Sequence, residues 1–401
     1  MPKIRVLENT IQEYAWGSFT ALAELLGQPS PAPEPQAEMW MGAHPGAPSR
    51  VLLRGKSVSL IELIEENPQA ILGAGVCRKF GPRLPYLFKV LAAANPLSIQ
   101  AHPSREQARR GFQEENRAGV PLAAPERNYK DENHKPECIC ALTPFWALNG
   151  FRKISEIISI LKQCTAGMTL KLLDALGEQP VKAGLKLFFK SLLTAEESLK
   201  RQLIRRVTKY AQHHAGKDPA YRWVAALHEK YPTDIGLLAP LFLNLVRLEP
   251  GQAMFLAAGQ LHAYLDGVGI ELMANSDNVL RGGLTSKHVD LAELLKVLVF
   301  EELEIDILAP RKVNDHEIMY PTPAEEFALS VICPMEGKIF SSARERSVEI
   351  LLCTQGEGVI TDLDDGRCMT IARGCALLVP AAVTQYSIAG RITLYKAAVP
   401  L

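Results

Sequence analysis

Gln100 and His102 stand two apart in the run "LSIQAHPS" (97–104). In an extended segment residues i and i+2 point to one face, so an amide oxygen and an imidazole converge there while Leu97, Ile99 and Ala101 face the other way. A second polar run, "NHKPE" (133–137), offers His134, Lys135 and Glu137, and Pro136 restrains Lys135 to extended geometry. A third, "GQLHAYLDG" (259–267), repeats the same device with His262 and Tyr264. Two imidazoles, a carboxylate and an amide oxygen form a shell suited to zinc; with open positions the same set takes iron or manganese. Each residue also has a plainer role. A core imidazole is commonly satisfied by a backbone carbonyl, Glu137 before the apolar "CICAL" can be an ion-pair partner, and amides such as Gln100 are uncommon zinc ligands. Spacing alone therefore indicates a metal pocket but no reaction.

The other histidines add little. His44 in "GAHPGAPS" reads as a loop residue, His213, His214 and His228 as solvent-facing, and His288 and His316 have no evident partner. The eight cysteines contain no CxxC pair, and Cys138-x-Cys140 reads as an alternating strand pair rather than a metal clip. With a polar, strand-like start and no signal peptide, a cytoplasmic protein with reduced thiols is expected. Lys and Arg (44) balance Asp and Glu (44), so no global field draws nucleic acid or an anionic membrane. No apolar run approaches a membrane span.

The elements that must position these groups differ in texture along the chain. Up to about residue 150, short apolar runs broken by Pro and Gly predict strands and loops, with short helices over 60–66 and from Ser104, where Ser104 and Gln107 have capping-box spacing. From 153 to 248 apolar residues recur every three or four positions ("ISEIISILKQC", "LKLFFKSLL"), which predicts a helical insertion. Period two returns at Glu249-Pro250-Gly251, where a turn, a strand, another turn and two more strands are expected. A weak repeat aligns 251–262 on 374–385 without gaps, the first copy ending on His262 and the second on Gln385. Such units suit jelly-roll barrels. The predicted fold is mainly β: a barrel from 1–152 and 249–320, an all-α domain at 153–248, and a degenerate second barrel at 321–401.

Taken together, "YAWGS" (14–18), "AEMWMGAHPGAPS" (37–49), "LPYLFKVLAAANPLSIQAHPS" (84–104), "NYKDENHKPE" (128–137) and "GIELMANSDNVLRGGLTSKHVD" (269–290) resemble the type I mannose-6-phosphate isomerase family. The likeness is strong over 1–150 and 249–320 and weak elsewhere. It implies two cupin-like barrels, one zinc ion per chain on Gln100, His102, Glu137 and His262, and a monomer acting on small sugar phosphates. The implied reaction interconverts mannose 6-phosphate and fructose 6-phosphate through a cis-enediolate, which needs positive charge at two oxygens and a base that moves one proton. His134, Lys135, Glu271 and Asp277 are the candidate proton carriers. Arg281 is expected to be essential for turnover, with Lys287, Lys89 and Ser98 near the phosphate and Trp16, Glu38 and Tyr264 lining the pocket. Two rivals are another metal-dependent cupin enzyme and a non-catalytic sugar-phosphate sensor. The first would not require Lys135, Arg281 and Lys287 around the metal, and the four ligand types retained with "NHKPE" and "NVLRGG" argue against the second.

Overall fold

The computed structural model describes residues 3–166, 168 and 171–401. Among these, the strands form a ten-stranded and a nine-stranded antiparallel sheet and a two-stranded ribbon, Arg50–Leu53 with Lys56–Ser59. The short helix Leu60–Glu66 and the longer Arg105–Arg117 both begin with complete capping boxes, on Ser59–Glu62 and Ser104–Gln107.

The ten-stranded sheet is organised around Tyr86–Ala93, which is buried along its whole length between Glu38–Gly42 and His262–Ala274. Its two faces serve different purposes. Tyr86, Phe88, Val90 and Ala92 pack with Cys138, Cys140, Ile270 and Leu272 against the nine-stranded sheet, contributed there by Phe327, Leu329, Ile350, Leu352, Leu378 and Ala397. Leu91 and Ala93 face a second apolar cluster with Ile139, Ala141, Phe145 and Tyr264. Lys89, Glu137 and Glu271 extend this inner face as polar residues, so half of it is greasy and half ionic. The cysteine pair is thus a buried, alternating strand pair.

His262–Ala274 is one long strand rather than two. Its register shifts between Tyr264 and Asp266, and Gly267 (φ +118°) bends it where an added Cβ would lie 2.6 Å from the Pro144 carbonyl oxygen. The extra residue reverses the inward and outward parity beyond it. Before the bulge His262 and Tyr264 point inward; after it the odd-numbered Glu271 does.

The helical block lies inside a hairpin. Phe145–Phe151 and Leu243–Leu248 are paired, with Phe151 opposite Leu243, and the helices occupy the connection. Residues 243–248, expected as helix, are therefore an edge strand. Helix Ile154–Cys164 buries Ile157, Leu161 and Cys164, and Val181–Leu193 buries Leu185, Phe188, Phe189 and Leu192, the spacing that the apolar periodicity requires. These side chains cover Ile99, Ala101, Leu261, Ala263, Leu265 and Leu280, the backs of the strands that carry Gln100, His262 and Arg281.

Three short strands join a different sheet from the one expected. Arg5–Val6 pairs with Leu377 and Leu378, and Arg311–Asn314 and Glu317–Tyr320 lead into Ala328–Ile332, all in the nine-stranded sheet. The sequence repeat is visible in the backbone. Gly251 (φ +85°) and Gly374 (φ +87°) precede strands Ala253–Leu256 and Ala376–Val379, and Gly267 (φ +118°) matches Gly390 (φ +124°), each on the same offset. The inside of the nine-stranded sheet carries Ile332, Phe340, Leu351, Ile360, Ile388 and Leu394, an apolar filling where the other sheet has the buried polar residues Lys89, Glu137, His262 and Glu271.

Candidate active site

His102, Glu137 and His262 offer ligand atoms that all lie within 4.8 Å of one another, and all three are buried. His102 Nε2 is 3.1 Å from Glu137 Oε1, and His262 Nε2 is 3.5 Å from Oε2. The opposite nitrogens are both spoken for. His102 Nδ1 donates to the Asn278 carbonyl at 2.7 Å, and His262 Nδ1 donates to the Gln260 carbonyl at 2.9 Å. A carbonyl only accepts, so each neutral ring carries its lone pair on Nε2. Burial pushes the His102 pKa down and that of His262 to about 4, which keeps both rings neutral near pH 7. Burial alone would raise the Glu137 pKa, but Lys135, with Nζ 3.1 Å from Oε1, holds it well below the usual carboxylate range.

The result is two lone pairs aimed at an ionised carboxylate, and neither Nε2 has a hydrogen-bond partner among the described residues. Buried polar atoms in that arrangement call for a cation between them. The donor set of two imidazoles and one carboxylate fits zinc, with backbone carbonyls fixing each ring as an outer shell.

Gln100 stands opposite both His262 and Arg281 in the sheet register. Directly opposed residues share a face, so Gln100, His262 and Arg281 form one row across three strands. Arg281 is half-buried, and burial lowers its pKa. No carboxylate pairs with it among the described residues, which leaves a desolvated guanidinium available to an anion.

A second ionic group lies next to the first. Lys89 Nζ is 3.0 Å from Glu271 Oε2 and 3.5 Å from Glu38 Oε2, while Trp40 Nε1 donates to Glu38 at 2.6 Å. Register places Lys89 between Trp40 and Glu271. Burial works against the Lys89 charge, but the two carboxylates outweigh it and hold the ammonium protonated. Burial pushes the Glu271 pKa up. Tyr264 donates to Glu137 Oε2 at 3.3 Å and is itself fully buried. Trp16 packs at the edge of the apolar cluster that contains Tyr264.

Other expected residues sit elsewhere. His134 is not in the metal cluster; it bonds Glu326 and lines a neighbouring cavity of about 500 Å³ with His44, Lys130 and Asp277. Successive side chains of an extended segment alternate, so His134 turns from the face that takes Lys135. Asp277 pairs with His44 at 3.2 Å, and that hydrogen bond lowers its pKa. His44 is therefore buried rather than a free loop residue. Ser98 is partly buried just before Ile99–Ala101. Lys287 is exposed in the turn after Arg281, its amide bonded to Thr285, and makes no ion pair among the described residues.

One positioning residue escaped the sequence reading. Asn278 accepts from the Lys130 amide and donates to the Asp131 and Asn133 carbonyls, so its own carbonyl is held against His102. The "NSDN" turn hinted at this, but its partners are distant in sequence.

The family model described as phosphomannose isomerase type I, catalytic domain, matches residues 4–154. Mannose-6-phosphate isomerase of Salmonella typhimurium is 45% identical over 358 residues, covering 88% of this chain and 89% of that protein. The Homo sapiens enzyme of that name is 34% identical over 413 residues, covering 95% and 94%. A crystal structure of the Salmonella typhimurium isomerase bound to substrate (f6p) and zinc matches with a TM-score of 0.89 at 40% identity, over 100% of both chains.

Proposed function

The chain belongs to the type I phosphomannose isomerase family, and from that premise we infer that it is a zinc-dependent enzyme interconverting D-mannose 6-phosphate and D-fructose 6-phosphate. The observation that carries the reading is the pair of buried, unpartnered imidazole Nε2 atoms converging with Glu137. Gln100, His102, Glu137 and His262 are the proposed zinc ligands. Zinc bound there supplies Lewis-acid charge beside the sugar's C1 and C2 oxygens.

The protein's own groups divide the remaining work. Arg281, with no counter-ion among the described residues, binds the phosphate or the charge that builds up during the reaction. Lys135, Glu271 and Asp277 are proposed to carry the proton between C1 and C2, Lys135 being favoured because it stands beside the ligand carboxylate. Lys89 and Glu38 hold Glu271, and Trp16 and Tyr264 line the pocket and exclude water. Ser98 and the exposed Lys287 are proposed at the phosphate end. The ten-stranded sheet is proposed as a cupin-like jelly roll, the nine-stranded sheet as its degenerate copy, and 154–242 as an all-α domain. No helix among the described residues is long and apolar enough to cross a membrane; a cytoplasmic monomer is proposed.

The test is turnover of mannose 6-phosphate with fructose 6-phosphate followed before chelation, after it, and after zinc is restored. Activity lost to chelator and regained with zinc is expected. A folded, zinc-loaded protein with no turnover refutes the reading.

A further inference from the structure

The ring of His102 is steered by a carbonyl that no regular element holds. Asn278, whose carbonyl accepts from His102 Nδ1 at 2.7 Å, lies in the connection 275–279 between strands His262–Ala274 and Leu280–Gly283. The segment it meets, 128–136, runs up to strand Glu137–Ala141 and is likewise outside every helix and strand. No backbone-to-backbone hydrogen bond joins 128–136 to 275–279 among the described residues. Side chains satisfy the amides there instead, and they set how the two segments sit against each other.

Asp131 carries most of that load. Its Oδ1 accepts from the Asn133 amide at 2.8 Å and from Ser276 Oγ at 2.9 Å, and its Oδ2 accepts from the Asp277 amide at 2.8 Å. Ser276 Oγ in turn accepts from the Asn278 amide at 3.2 Å. The exchange is reciprocal, because Asn278 Oδ1 accepts from the amides of Lys130 at 2.7 Å and Asp131 at 3.2 Å. Ser276 and Asn278 are buried, so a bond lost here is not replaced by solvent. A carboxylate suits the place because both of its oxygens accept; an amide keeps one acceptor and turns its NH2 on a donor at the other.

We infer that Asp131 is a positioning residue for the metal site: it holds the 275–279 connection so that the Asn278 carbonyl stays against His102 and the Nε2 lone pair stays on the metal position. This rests on the zinc reading above. A metal-binding imidazole is oriented by whatever its other nitrogen bonds. Here that partner is a main-chain oxygen, so its placement is decided by the side chains that hold its loop. None of the hydrogen bonds of Asp131 goes to Gln100, His102, Glu137 or His262. It acts through Asn278 alone, and it ties that residue to the segment that supplies Lys135 and Glu137.

Zinc affinity of the full chain, measured by competition with a chromophoric chelator, tests this. Asp131→Ala should weaken zinc binding by about tenfold or more, and Asp131→Asn, which keeps an acceptor for the Oδ1 donors, should lose less. Asn278→Ala leaves the Asp131 charge in place and should weaken zinc to a similar degree. Combining it with Asp131→Ala should add little, because both act through one carbonyl. An affinity in Asp131→Ala within about twofold of wild type, or losses that add in full, overturns the inference, even if the zinc-free variant melts earlier. Should Asp131→Ala fail to fold, Asp131→Asn decides, and wild-type affinity there overturns the inference. A wild-type chain that binds no zinc refutes the zinc reading and this inference with it, whereas a zinc-binding wild type with unaffected variants refutes this inference alone.

Discussion

Removing the Lys89 ammonium tests the ionic half of the inner face most directly. Lys89 is 5% exposed, Glu271 3% and Glu38 6%, so its loss strands two carboxylates out of water. At 3.0 Å and an effective dielectric of about 20, the Lys89–Glu271 attraction is roughly 5 kcal/mol before desolvation is counted. Measured losses on breaking buried pairs are about 3–5 kcal/mol. Lys89→Met should therefore lose about 3–5 kcal/mol at pH 7.5 in urea and thermal unfolding. Adding Glu271→Gln should recover at least ~2 kcal/mol, because the remaining group is neutral and Trp40 still bonds Glu38. The pH dependence has a definite sign. Glu271 already has a raised pKa, and losing Lys89 raises it further. A carboxyl raised in the folded state contributes stability below its unfolded pKa of about 4.3 and loses it as pH rises through the folded value. The gap between variant and wild type should thus widen from pH 5 to pH 8. A loss under ~1 kcal/mol, a double variant no more stable than the single, or a gap that widens toward low pH would refute the argument.

Acid should destabilise the zinc-free protein through its buried imidazoles. With His262 held at about 4 against an unfolded value near 6.5, the unfolded state binds the extra proton first, so stability should fall by up to about 3 kcal/mol between those values. Melting curves of chelated protein across that range check this, and added zinc should offset the loss. Glu137→Gln should reduce bound zinc, measured by metal analysis, to under about a tenth of wild type and activity by about a thousandfold, with unchanged far-ultraviolet circular dichroism. Gly267→Ala should cost more than ~2 kcal/mol because a Cβ there meets the Pro144 oxygen at 2.6 Å, whereas Gly251→Ala, with open space around it, should cost only about 1 kcal/mol of backbone strain. Equal losses at the two glycines in denaturant titrations would contradict the bulge account.

Much of the site was legible in the residues themselves. Gln100 and His102 against Ile99 and Ala101, and the apolar stripes of the insertion, follow from covalent geometry: side chains alternate along a strand and recur at three or four along a helix, whatever lies around them. The capping box at Ser104 is equally local. What the chain alone left open depends on partners distant along it. His262 and Glu271 are nine positions apart, which in a regular strand would put them on opposite faces; only the bulge between Tyr264 and Asp266 brings both inward. Leu243–Leu248 reads as helix by composition and becomes strand because Phe145–Phe151 is there to pair with it. His134 and Lys135 are neighbours, yet one faces Glu326 across the sheet boundary and the other faces Glu137. Local periodicity follows from bond geometry, whereas register, bulges and ion-pair partners are settled when two sheets bury their shared apolar face and each buried charge must meet its counter-charge.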